Sequence, residues 1–165
     1  MAIRHQVIEQ PPDAVWAVLE DPRLYADWVV GTSASWPLDD RWPQVDAELA
    51  YRVDLGPWTL EGRTVVRRVE PLRWLELEAD SGRLGTARIA IEVRPWGGQT
   101  LVLVDEHPLR GPGGALHAAP LDFLIQVRHR SMLPRLARTV EAVSSAASKT
   151  SSPAMAQGAA NGDRV

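Results

Sequence analysis

No cysteine occurs in the 165 residues, so disulfide frameworks, thiol catalysis and thiolate metal sites are all excluded. Long apolar runs are also missing: nothing approaches the roughly 18 to 20 residues that a membrane helix needs. The opening MAIRHQVIEQPPD lacks the basic, apolar and small-residue segments of a signal peptide. These absences predict a cytoplasmic protein without membrane insertion. Nor is there a basic excess. The formal charge is −3, whereas a phosphate-binding surface shows as clustered positive charge, so no nucleic-acid partner is expected. Lysine is nearly absent, Lys149 standing alone while arginine supplies 17 of the 18 basic residues, which reads as coding bias and carries no functional argument.

Phenylalanine and tyrosine are scarce, at one and two residues, yet there are seven tryptophans. Large aromatic surfaces line cores and apolar ligand pockets alike. The composition is otherwise that of one soluble globular domain, 45% hydrophobic and 24% charged. From Ser144 onward the sequence SSAASKTSSPAMAQGAANGDRV is small and polar and cannot offset the entropy of ordering. The expected organisation is therefore a folded domain over 1–143 and a disordered tail over 144–165.

Within the domain a first strand over Ile3 to Glu9 stops at Pro11-Pro12. A helix starts there, with proline in its first turn, Asp13 at its positive end, and Val15, Trp16 and Leu19 on one face. Asp21-Pro22 reads as the cap of a second short helix carrying Leu24, Tyr25 and Trp28. The period then changes to two. Val45, Ala47, Leu49, Tyr51 and Val53 alternate with polar residues, as do Trp58 to Val66, Leu75 to Ala79, and Ala87 to Val93, which reads as half-buried antiparallel strands. Gly56-Pro57, Glu70-Pro71, Ser81-Gly82 and Gly97-Gly98 punctuate them. A short strand near Ser33 to Leu38 completes the set, and the last strand, Thr100 to His107, begins LVLV with both faces apolar, leaving its inward face open. From Pro120 to Val143 a stripe of Leu121, Ile125, Arg128, Met132, Leu136, Val140 and Val143 predicts a long helix covering the sheet. Pro134 inside it predicts a kink near Arg130.

This order resembles the helix-grip fold of the START and birch-pollen-allergen superfamily, an α+β architecture in which a curved antiparallel sheet of six to seven strands wraps a long C-terminal helix. PPDAVWAVLEDPRLYADWVVG is similar to the opening of its polyketide cyclase/dehydrase branch. WPQVDAELAYRVDLGPWTLEG, LGTARIAIEV, EHPLRGPGG and RHRSMLPRLARTVE resemble small actinobacterial members. The resemblance implies a deep cavity between sheet and helix. Those relatives often carry Arg-Asn in the last helix where this chain has Arg128-His129, so a role tied to that asparagine does not carry over.

The sequence holds no GxSxG elbow, phosphate-binding glycine loop or HExxH. His5, His107, His117 and His129 lack metal-site spacing, so neither a metal nor a cofactor is expected. Gly111, Gly113 and Gly114 lack the lysine and serine of a phosphate loop and read as a connection into the last helix, with His117 a loop residue. The polar candidate is Arg128, on the apolar stripe, with Glu106 or His107. A guanidinium facing a cavity must find an anion or several acceptors, and strand alternation lets only one of Glu106 and His107 face inward. The alternatives are a structural Arg–Glu brace or an arginine that reaches to water. Trp28, Tyr51 and Trp58 are the apolar candidates, expected on the second helix and on inward strand faces, where they suit a flat ligand. Trp16 and Trp74 read as structural, and Trp36, Trp42 and Trp96 as closing loops. Three functions remain open: binding of a small hydrophobic molecule, a cyclase/aromatase-type enzyme acting on a poly-β-ketone, and an interaction module whose cavity its own side chains fill. Oligomeric state is not readable.

Overall fold

The computed structural model describes residues 2–80, 82, 86–110 and 119–150; the side chains of 2, 55, 108, 110 and 119–130 lie outside that description. The chain runs β1 (Ala2–Ile8), α1 (Pro12–Leu19), α2 (Tyr25–Trp28), β2 (Ala34–Pro37), β3 (Glu48–Leu55), β4 (Trp58–Glu70), β5 (Trp74–Asp80), β6 (Thr86–Trp96), β7 (Gln99–Arg110) and α3 (Ala119–Thr150). The strands form one seven-stranded sheet in the order β1-β7-β6-β5-β4-β3-β2, every pairing antiparallel. β2 to β7 meander, and β1 closes against the last strand. This is the helix-grip architecture.

Proline sets the entry to α1. Pro12 has no N–H to leave unsatisfied in the first turn and Asp13 meets the positive end, while Val15, Trp16, Val18 and Leu19 are buried. The expected cap of the second helix acts one turn early: Asp21 Oδ1 accepts the Arg23 N–H at 2.9 Å, and α2 begins only at Tyr25. Ser35 fastens α2 to β2, its hydroxyl accepting the Ala26 N–H at 3.0 Å and donating to the Arg23 carbonyl at 3.1 Å.

Alternation sorts each strand. Leu49 and Tyr51, Leu75 and Leu77, Ile89 and Ile91, and Val102 and Val104 point into one core with Val15, Trp16, Leu19, Met132, Leu136 and Val140. The two-faced run in β7 is thereby resolved, with Val102 and Val104 inward and Leu101 and Leu103 outward. In β4 the register shifts between Val66 and Arg68. This bulge lets Arg67 reach Glu78 and Asp46 on the outer face and turns Val69 toward the core opposite Leu75.

α3 is continuous through Pro134 and ends at Thr150. Val143 is the last of its residues packed against the core. Beyond it, 144–150, where the sequence predicts the start of a tail, continues the helix with its residues mostly exposed. Alanines favour helix without burial, and the Ser148 and Thr150 hydroxyls bond back to the Ser144 and Ala146 carbonyls. Residues 151–165, the GPGG stretch and His117 lie outside the described residues.

The outer face is laced by cross-strand ion pairs. The best formed is bidentate: Arg88 Nε and Nη2 donate to the two Glu76 oxygens at 2.7 and 2.8 Å. Hydrogen bonding from Arg88 holds the Glu76 carboxyl below its usual range. A depressed folded-state pKa contributes stability above the unfolded value, about 4.3, and loses it as pH falls through the folded one. Glu76→Gln should therefore cost about 1 kcal/mol near neutral pH and less near pH 2. Urea melts of both proteins at the two pH values check this; an equal deficit at both would contradict it.

Candidate functional site

Tyr25 and Trp28 of α2 meet Tyr51 on the inner face of the sheet in an aromatic cluster. Tyr25 sits at its centre, 5.2 Å from the Trp28 ring in an edge-on arrangement and 6.0 Å from Tyr51. Its hydroxyl shares a 3.1 Å hydrogen bond with the buried Thr64 hydroxyl of β4. Tyr51 donates to the Asp80 carbonyl at 3.3 Å. All three rings are buried, Trp28 at 1% exposure. The Trp28 indole Nε1–H nevertheless has no acceptor among the described residues, and a buried donor in that state costs about 1 to 3 kcal/mol.

Gly62 explains the position of Tyr51. The two are cross-strand partners, and a Cβ at 62 would lie 2.5 Å from Tyr51 Cζ and 2.6 Å from the Asp80 carbonyl oxygen. The ring therefore occupies the space that a side chain would take. Tyr25, Thr64 and Gly62 are what sequence reading missed as site residues. The isolated glycine in an alternating strand was the available signal, since such a glycine marks a close approach.

Glu106 and His107 separate as alternation requires. Glu106 pairs with Ile89 and follows Val102 and Val104 on the inner face. His107 is on the outer face, 2.9 Å from Asp105, so its candidacy for the cavity is corrected. Arg4 of β1 also stands on the inner face, opposite Val104 and diagonal to Glu106 in the register. The Arg128 side chain lies outside the described residues. Trp58 lies at the margin of this face. It shares the inner face through its Leu55 pairing but begins β4 beside the Gly56-Pro57 turn and is 73% exposed, because that end of the hairpin lies beyond the covered sheet.

The other tryptophans divide by environment. Trp16 is core, and Trp74 lies on the outer face under the Arg68 guanidinium at 5.3 Å. Trp42 donates to the Leu19 carbonyl at 3.3 Å, closing its loop onto α1. Trp36 lies in β2 beneath Arg52 rather than in a loop. Trp96 is exposed at the end of β6.

Among the described residues no group of three or more His, Asp or Glu could hold a metal, and no helix is long and apolar enough to cross a membrane. The inner face thus offers aromatic rings, hydroxyls, one unpaired indole donor and the Glu106 carboxylate. Such a set can hold and orient a ring compound bearing an oxygen.

Solved structures share the architecture at low identity. Zhui aromatase/cyclase from Streptomyces sp. R1128 is 15% identical over 85% of this chain and 92% of its own, with a TM-score of 0.63. Ara h 8.0201 is 8% identical over 86% of this chain and 97% of its own, at 0.66. DynU16, from the dynemicin biosynthetic locus, is 22% identical over 85% of this chain at 0.58, and this chain covers 46% of it. The likeness establishes a common fold. No family model and no curated protein matches the sequence.

Gly62→Ala should force Tyr51 off its seat, because the Asp80 carbonyl on the other side is backbone and cannot yield. The expected loss is about 1 to 3 kcal/mol in a urea melt, with a changed tyrosine signal in near-ultraviolet circular dichroism. An unchanged melt and spectrum would contradict the close packing.

Proposed function

We propose that the protein binds a small hydrophobic molecule, aromatic or polycyclic, between the inner face of the sheet and α3. The observation that supports this reading is the buried Trp28 N–H, which has no acceptor among the described residues and lies inside an aromatic cluster. Native structures rarely leave such a donor unsatisfied, and a ligand carbonyl or phenol oxygen would complete it. Rigid rings offer stacking to a rigid ligand, whereas an acyl chain gains less from them and loses more torsional freedom. Arg128 and Glu106 are the proposed polar anchors, Tyr51 is a wall of the site, and Trp58, at the exposed hairpin end, is a rim contact. The binding unit is 1–143 with the C-terminal residues an extension of it, and the protein works in the cytoplasm without nucleic acid.

A cyclase/aromatase-type reaction is the second reading, favoured by Glu106 on the inner face, where a carboxylate could take a proton from an activated methylene. Its fold is also that of an aromatase/cyclase.

Titrating tryptophan fluorescence should give saturable quenching with polycyclic phenols and none with fatty acids. Trp28→Phe keeps a ring and removes the donor, so it should weaken phenol binding about fivefold to tenfold, the equivalent of one hydrogen bond, and leave the matching hydrocarbons unaffected. Arg128→Leu should abolish ligand retention with the melting temperature unchanged or higher. Tight fatty-acid binding with no response to ring compounds would overturn the proposal. No response to either would favour a cavity filled by its own side chains.

A further inference from the structure

The two edges of the sheet are unlike. β2 is four residues long and ends at Pro37, both of which discourage strand addition. β1 is seven residues long without proline, AIRHQVI, and among the described residues only β7 pairs with it. Its outer face is apolar at both ends, Ile3 at 59% and Val7 at 41% exposure. In the register Val7 lies beside Leu101, and His5 beside Leu103. Val7, Leu101 and Leu103 thus form an apolar patch that reaches the edge, and Ile3, across His5 from Val7 and beside Asp105, adds a further apolar residue there; such patches mark association surfaces.

We propose that the chain dimerises by antiparallel pairing of β1 with β1 of a second copy, about a two-fold axis at His5. The sequence of β1 selects this partner and register. With His5 opposite His5 of the second copy, all seven residues of β1 pair, Ile3 faces Val7, Arg4 faces Gln6, and opposed residues keep to the same face of the sheet. The apolar patches then merge across the axis. Shifting the register by two toward the N-terminus opposes Arg4 to Arg4, as does an in-register parallel arrangement, and like charges directly opposite are destabilising. The opposite shift leaves residues at the start of β1 unpaired. The closed two-fold contact also removes the exposed edge.

The absence of cysteine gives a direct test. Directly opposed residues in an antiparallel pair have Cα atoms about 4.5 to 5.5 Å apart, inside disulfide range. Positions 3 of the two copies are offset by four residues, about 13 Å along the strands. His5→Cys should cross-link into a covalent dimer on mild oxidation, and Ile3→Cys should not. Light scattering after gel filtration should give twice the chain mass, falling toward the monomer over about a hundredfold dilution. Val7→Lys should give the monomer mass throughout and keep the melting temperature that the unaltered protein shows once diluted to monomer. A monomer for the unaltered protein at every concentration would overturn the proposal, as would a dimer that Val7→Lys leaves intact, or cross-linking of Ile3→Cys equal to that of His5→Cys.

Discussion

Tyr25 is the point at which the helices and the sheet are tied together. Its ring lies against Trp28 on the same short helix and Tyr51 on β3, and its hydroxyl meets Thr64 on β4. α2 is a single turn and has no stability of its own, so its place depends on this packing and on the Ser35 hydrogen bonds. α3 in turn contacts α1, α2 and β1. The spacing between the long helix and the inner face is thereby set by a few aromatic contacts. Gly62 makes them possible by leaving room for Tyr51, and the unpaired Trp28 N–H is the polar remainder of the same arrangement.

The two faces of the sheet divide the work. Inside, the strands supply apolar residues, with Thr64 and Thr100 the buried polar ones among the described residues; the Thr100 hydroxyl donates to the Gln10 carbonyl at 2.7 Å and pins the start of α1. Outside, arginine and acidic residues pair across strands, as with Arg88 and Glu76 or Arg67 and Glu78. These pairs set strand neighbours more than they add stability. The arginine richness that carried no argument in the sequence thus has a place in the structure. β1 and the adjoining part of β7 depart from the pattern, with Ile3, Val7, Leu101 and Leu103 on their outer faces.

Much of this was legible in advance because a half-buried strand must alternate. Leu75, Leu77 and Ala79 could face only one way with Glu76 and Glu78 between them, and the proline-started α1 followed from the same kind of local rule. β7 was not legible, since LVLV has no polar residue to mark its outer face, and Glu106 could be told from His107 only once pairing with β6 fixed the register. Trp58 failed differently: its face was read correctly, but alternation says nothing about how far the cover extends. The long helix was foreseen by its stripe, while residues 144–150, mostly exposed, carry no apolar stripe that would mark their continuation of it. Tyr25 was placed on the correct helical face, yet its bond to Thr64, 39 residues away, is a tertiary contact that no local pattern contains.

The central claim is that the aromatic cluster around Trp28 is a ligand site and not only core. The seven tryptophans give separate indole signals in a nitrogen-15 NMR spectrum, and a polycyclic phenol is the probe. The account predicts that its addition moves the Trp28 Nε1–H signal furthest, downfield as the proton gains an acceptor, and leaves the Trp74 and Trp96 signals in place. A Trp28 signal unmoved at saturation, with shifts confined to tryptophans of the outer face or the loop ends, would contradict it.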